Sequence, residues 1–502
     1  MRPFSGFVLA AGVLLGVLAP ARAAAQASPY LPLDDPRLPL IEHLIARGDV
    51  ADPSPLVRPF RRADAARVLA AADTVAEGGS AELIRALRAD LEASGPIQFW
   101  RVAGRAGAQA YSHVRRDVLH PLGPDGIRPY AEFTGEAVFG NFIVATRPAA
   151  EPRIADDPEW PGRRDLELIW RFPEAYLGAQ FKHVTLFYGQ MERNWGPAGL
   201  PGIGVSDYAY PQAEAAIELG TETFRLHALA RTLEDETDDA GGRIHRYFFA
   251  HRIGVRVTQR LHLGLWETTV IAGQDREFDA RYRNPLTLVL LANQYGLGLD
   301  GNVMVGLDAR WRVAGRTLLE AQVALDDFQY RENAYPNRYA FTVGASGPLG
   351  RRLAWRTLYT QASSLAFRTL DPLENFTTGG VGLGRNFADL DQLTATVSVP
   401  GGTRWLFKPE LTLLRQGEGR IGNPFPPPGT PSDRTPTLFI GTVERTWRAA
   451  LGVSGRQGPL EVHANAGFHH VVNAGNQRGR TVDRFEGRLQ ATLGLSHRGA
   501  LR

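Results

Sequence analysis

"VGLDARWRVAGRTLLEAQVALD", residues 305–326, decides how this chain folds. Val305, Leu307, Ala309, Trp311 and Val313 hold every second position, with Asp308, Arg310 and Arg312 between them. After the turn-like "AGRT", Leu319, Ala321, Val323 and Leu325 alternate with Glu320, Gln322 and Asp326. Side chains of a strand point to its two faces in turn, so this period makes one face apolar and the other ionic. The pattern recurs in 102–110, 253–257, 393–399 and 460–468. It is clearest at the end, where Phe485, Leu489, Ala491, Leu493 and Leu495 stand among Arg484, Glu486, Arg488, Gln490 and Thr492.

Two architectures have such strands. A soluble sandwich buries the apolar face and wets the polar one, whereas a membrane barrel turns the apolar face to lipid and the ionic face to its lumen. The polar face here carries dense charge of both signs, as a lumen laced with ion pairs would. Aromatics recur near strand ends (Trp170, Phe172, Tyr176; Tyr247, Phe248, Phe249; Tyr282; Tyr359; Trp405, Phe407), where a membrane interface holds them. The alternation also runs from 97 to 502 without a second helical block, too far for one sandwich. The reading is all-β: a large antiparallel transmembrane β-barrel of roughly 16–20 strands, about 18 favoured, at ~10 residues per strand. Tight connections ("RVAGRT", "GPLGRR") alternate with long polar ones at 147–165, 233–246 and 415–437, the last too rich in proline for a strand. The chain ends "SHRGALR" rather than on an aromatic residue.

The first 25 residues read as a signal peptide. Arg2 precedes the apolar "FVLAAGVLLGVLAP", and small residues follow, with cleavage after Ala25 or Ala27. Residues 26–96 read as a small periplasmic helical domain and 97–502 as the barrel. In the helical part Leu40, Ile41, Leu44 and Ile45 share a face that stops at Gly48. Asp64 is the expected cap of a second helix. Ser80 is the expected cap of a third, whose stripe is Leu83, Ile84, Leu87 and Leu91. The destination is the bacterial outer membrane.

Composition narrows function. Net charge is +3, from 56 basic against 53 acidic residues, so nothing points to nucleic acid. No cysteine is present, which removes thiolate metal sites, Cys nucleophiles and lipid attachment at Cys. Lys182 and Lys408 are the only lysines; the remaining cations are Arg, whose planar fork suits carboxylates and sugar hydroxyls.

One segment breaks the strand pattern: "YGQMERNWGPAGLPGIGVSDYAYP", residues 188–211. Its glycines and prolines forbid a helix, and irregular backbone at membrane depth is tolerated only against a wet cavity or inside protein. Arg193, Asn194, Trp195, Asp207 and Tyr208 are therefore candidates for binding carbohydrate or for plugging the lumen, with Gly196, Pro197 and Gly199 making the turn. Trp195 offers a face for sugar C–H groups, while Arg193 and Asp207 can pair with the wall. Asp308, Arg310 and Asp326 are expected to line the lumen.

Arg193, Trp195-Gly196-Pro197 and Gly199, followed by Ser206, Ala209 and Pro211, resemble the Wzi family of capsule-assembly outer-membrane proteins. "LGLWETTVIAG", "RNPLTLVLLANQ", "DGNVMVGLDARW" and "LLEAQVALDDFQ" (263–329) are similar in order and spacing, as are "DDPRLPLIEHLIARG" and "RPFRRADAARVL". This chain departs at Asn194, where members often carry a second Trp, and at Asp207-Tyr208, where they carry Asn-Asn. The resemblance implies a large barrel with periplasmic helices that attaches or assembles capsular or extracellular polysaccharide. Its partners would be that polysaccharide, outer-membrane lipid and the polysaccharide export machinery.

A porin-like diffusion channel for small solutes is the alternative. A hydrolase or acyltransferase is a third reading, and it finds little support. Asp326 and Asp327 are adjacent and point to opposite faces, so they cannot flank one glycosidic bond; His469 and His470 fail as a metal pair for the same reason. His245, His251 and His262 read as lumen hydrogen-bonders. "GASG" at 344–347 lacks the strand–elbow–helix setting of a nucleophile. The expectation is a non-enzymatic protein with no cofactor, no catalytic residue and no metal.

Overall fold

The computed structural model describes residues 27–501 apart from 75–78, 93–97, 113–118, 120–124, 239, 275–300, 314–315, 328–334 and 427–434. The proposed signal peptide, Tyr282, part of the "RVAGRT" turn and the "RNPLTLVLLANQ" motif lie outside the described residues.

Eighteen strands pair in sequence order. They are β1 Phe99–Tyr111, β2 Gly126–Phe139, β3 Phe142–Ala150, β4 Trp170–Gln180, β5 Val184–Met191 and β6 Glu214–Gly220. Next come β7 Phe224–Thr232, β8 Arg243–Thr258, β9 Leu261–Gly273, β10 Asn302–Arg312, β11 Leu318–Asp327 and β12 Arg338–Leu349. The last are β13 Leu353–Ala362, β14 Leu390–Gly401, β15 Trp405–Gln416, β16 Glu444–Gln457, β17 Leu460–Val472 and β18 Thr481–Ala500. All neighbours are antiparallel, and β18 pairs back onto β1 from Phe99↔Ala500 to Tyr111↔Arg488. Closure leaves no unpaired edge, which a wall in hydrocarbon requires.

The alternation that predicted these strands sorts their faces. Leu307 is 61 % exposed and Leu325 50 %, while Asp308, Arg310, Glu320 and Gln322, on the same two strands, are buried. An outer surface this apolar would aggregate in water and is at home in lipid. The short connections all leave the barrel at the end that holds Phe99 and Ala500; the long loops leave at the other.

The ionic lining is not uniform. Phe248, Trp266 and Met304 face inward and form a core with Trp195, Val205, Phe367 and Leu383. Tyr176 also lies inside, stacked on Phe187 at 5.1 Å. The sequence reading put Tyr176 and Phe248 in an interface girdle, and the structure corrects this: the material filling the lumen is itself apolar on that side. His251 is corrected too, since it lies on the face opposite Arg252 and bonds Glu267 at 2.9 Å.

Three helices, α1 Leu38–Arg47, α2 Arg62–Asp73 and α3 Gly79–Glu92, stand at the end with the short turns. They share a core of Leu40, Ile41, Leu44, Leu69, Ile84 and Leu87, to which the wall adds Leu406. Gly48 closes α1 in the left-handed conformation, φ 73°, as the sequence suggested. Two expected caps are not caps. Asp64 sits inside the first turn of α2, taken by Arg61 Nε at 2.7 Å, and the Ser80 hydroxyl bonds Asp49 at 2.6 Å instead of a helix N–H.

Charge, more than grease, joins this helical plug to the wall. Arg312 of β10 donates to the Ile45 and Ala46 carbonyls at 2.6 and 3.2 Å, and so satisfies the end of α1. Arg62 grips Glu136 of β2 at 2.5 Å. Asp52, after α1, meets Arg58 at 3.1 Å and Arg310 of β10 at 3.5 Å. Burial works to raise the Asp52 pKa, but these two guanidiniums overcome it and hold the carboxyl at about 2. A depressed carboxyl stabilises the folded state fully above its unfolded value, about 4, and the contribution goes as pH falls towards 2. Pepsin is therefore expected to cut within residues 27–97 at pH 2 and to spare them at pH 4.5. Equal cleavage at both values would count against the ionic clamp.

Candidate functional site

Loop 3, residues 192–213 between β5 and β6, starts at the end of the long loops and folds into the lumen. Its first residues form a ribbon with the plug: Val57 pairs with Trp195 and Arg58 with Asn194. The Trp195 N–H donates to Val205 O at 3.0 Å and the Gly196 N–H to Leu56 O at 2.9 Å. Two features of opposite ends of the barrel thus meet in its interior.

Each sequence-predicted residue has a definite place. Arg193 pairs through Nε with Glu214 of β6, whose other oxygen accepts from Arg231 of β7 at 2.8 Å. Its guanidinium also lies 4.6 Å from the Phe187 ring centre. Burial lowers the Arg193 pKa and the Glu214 charge outweighs this, so the group is held firmly protonated. Asn194 closes the loop on itself: its Nδ2 donates to Leu200 O at 3.1 Å and its Oδ1 accepts from the Gly202 N–H at 2.6 Å. Trp195 is only 4 % exposed, inside the apolar core, and its carbonyl accepts from Gln322 Nε2 at 2.8 Å. A ring that is covered on both faces has no surface left for a sugar to stack on. A Cβ at Gly196 would lie 2.7 Å from Gln322 Oε1 and displace the amide that bonds the Ile203 N–H at 3.0 Å and the Trp195 carbonyl at 2.8 Å. Gly199 adopts φ 101°, which a side chain would strain, and Pro197 lies between them.

Asp207 and Tyr208 are separated from that group. Asp207 is exposed, and Tyr208 meets Phe387 edge-on at 5.3 Å. Ser206 joins loop 3 to loop 7 (363–389), donating to Gly384 O at 2.6 Å. The predicted lumen residues are also distributed along this plug. Asp308 holds Arg252 through two bonds of 2.7 and 2.8 Å. Arg310 reaches Asp52 and Glu320 at 3.5 Å each, and Asp326 accepts from the Phe367 N–H of loop 7 at 2.9 Å.

Sequence reasoning missed Glu214, Arg231 and the whole of loop 7. Glu214 directly precedes an apolar stretch and carries no motif; only the contact reveals it. Arg246 was missed as well. Fully buried, it donates to the carbonyls of Leu373, Asn375 and Thr377 at 2.7–3.1 Å and thereby fastens loop 7 to β8. Among the described residues no group of three or more His, Asp or Glu side chains is arranged to hold a metal ion.

An 18-strand closed wall with an apolar exterior and an ionic interior defines an outer-membrane β-barrel, with the short turns towards the periplasm. No family model and no curated protein sequence matches the chain. Among solved structures it is similar to Wzi, an outer-membrane protein involved in group 1 capsule assembly in Escherichia coli and described as a carbohydrate-binding β-barrel. That likeness has a TM-score of 0.64 at 14 % identity, over 93 % of this chain and 99 % of that one. OccD3 (OpdP) of Pseudomonas aeruginosa has a TM-score of 0.45 at 10 % identity, over 80 % and 91 % of the two chains. OccAB2 of Acinetobacter baumannii has 0.45 at 12 %, over 80 % and 98 %.

Proposed function

We propose that this barrel attaches or assembles capsular or extracellular polysaccharide at the cell surface, without catalysis, in contact with outer-membrane lipid and the polysaccharide export machinery. One observation carries the choice over a diffusion channel. The lumen is crossed by contiguous material, from α1 through the 56–58 ribbon to loop 3 and loop 7, knit by hydrogen bonds and an apolar core. A general pore needs a wet path, and every contact in that crossing removes one. The fold-level likeness to Wzi, a protein described as carbohydrate-binding, supports the same reading.

Two measurements test it. Purified protein in a planar bilayer is expected to give no steady current above the lipid baseline. Cells lacking the protein are expected to shed surface polysaccharide into the medium, with retention restored by the wild-type chain. Steady porin-sized conductance, or full retention in the deletion strain, would overturn the proposal.

A further inference from the structure

A hydrophilic cavity of about 390 Å³ lies between the helical plug and the wall, at the periplasmic mouth. Its size is at the low end for ligand clefts, roughly 300–1,000 Å³, but such clefts are mostly apolar and this one is lined mainly by guanidiniums and carboxylates. Most of these charges are paired within the lining: Arg62 with Glu136 at 2.5 Å, Arg147 with Asp34 at 2.6 Å, Arg105 with Glu132 at 2.7 Å. Arg404 and Arg456 differ. Both are exposed at the mouth, and among the described residues no carboxylate comes within ion-pair distance of either; Arg456 Nε donates only to Gly458 O at 3.2 Å. Among the described residues Asp90 is the lining carboxylate with no cation within ion-pair distance, and it acts on Arg37 only from further away.

A second observation concerns the rim. The short turns carry Lys182, Arg260, Arg316, Arg351, Arg352 and Arg404, against the single acid Glu222. Glu222 is itself met by Arg67 at 3.1 Å, and of the cations Arg316 is met by Asp49 of the plug. A rim of one sign raises the local concentration of oppositely charged solutes.

We infer that this cavity is a binding site for a short carboxylate-bearing segment of a sugar chain, entering from the periplasm and held at the mouth by Arg404 and Arg456. The inference rests on the polysaccharide reading and adds a ligand class and a second face to it. Sugar hydroxyls both donate and accept, and a lining of interleaved carboxylates and guanidiniums answers both needs. Among the described residues no aromatic side chain belongs to the lining, which further selects a ligand gripped by its polar groups rather than by stacking.

Isothermal titration of the full mature protein in detergent tests this, with trigalacturonate as the acidic probe and maltotriose as its neutral counterpart. The wild type is expected to bind trigalacturonate at least fivefold more tightly than maltotriose, with affinity falling as salt rises. The double variant R404Q/R456Q is expected to lose at least fivefold in trigalacturonate affinity while keeping heat-modifiable gel migration, since both residues are exposed, Arg404 on a turn and Arg456 at the end of β16. Absent or salt-insensitive binding, equal affinity for the two sugars, or an unchanged double variant would each overturn the site. If cells retain polysaccharide through this protein while trigalacturonate fails to bind, the cavity inference falls and the surface reading stands. If the deletion strain loses no polysaccharide, the surface reading fails, whatever the cavity binds.

Discussion

Trp195→Ala is expected to destabilise the lumen filling by about 3–5 kcal/mol, the usual cost of removing a large buried aromatic. The indole is packed among Val205, Phe248, Trp266 and Leu383, so its loss leaves a void that loop 3 and loop 7 share. The wall owes nothing to this ring except contacts on its inner face, and its hydrogen-bond ladder is untouched. Heat-modifiable migration should therefore persist while the loops become accessible to trypsin at Arg193 and Arg385. Polysaccharide retention should fall only as far as the outer loops lose their shape, because the buried ring cannot itself touch a sugar. Wild-type resistance to trypsin in the variant would show that Trp195 is not what holds the loops.

Arg193→Ala should have an effect of similar size through a different cause. Glu214 is fully enclosed and shares its charge between Arg193 and Arg231. Removing one partner of a buried pair costs about 3–5 kcal/mol when the other charge is stranded; Arg231 remains here, so roughly 2–4 kcal/mol is expected. The start of loop 3 is then released from β6, and its ribbon with Val57 loses its anchor. The measurable result is current in a planar bilayer where the wild type gives none. Silence in the variant would mean that the lumen stays closed without this clamp. Arg193→Lys would restore the charge without the planar fork, so partial closure in that variant separates charge from geometry.

How much of this could be read from residues alone follows from the range of the forces involved. The wall was legible because its cause is local: a period of two in 305–326 fixes which residues meet lipid, whatever pairs with them. Asp308, Arg310 and Asp326 could be assigned to the inner face for that reason. The plug was legible only as an anomaly, a stretch too bent for a strand. Its contents were not, because the contacts that bury Trp195 come from Val57, Phe248 and Leu383, far apart in the chain and joined only by closure. The same limit misplaced Tyr176 and Phe248, whose aromatic character suits an interface and an interior core equally well. The helix caps failed on a smaller scale. Ser80 and Asp64 have the right chemistry, yet Asp49 and Arg61 compete for them once the helices pack.

That the plug and the wall belong to one polypeptide has a kinetic corollary. Residues 93–98 are all that lies between the end of α3 and the start of β1. A detached plug cannot drift away; its covalent connection to the wall holds it at an effective concentration of order millimolar beside its own seat. Even a weak grip then suffices to keep the doorway shut, and any opening is a brief excursion that ends in recapture. The same helices supplied as a separate chain would dilute into the periplasm and leave the barrel unstoppered.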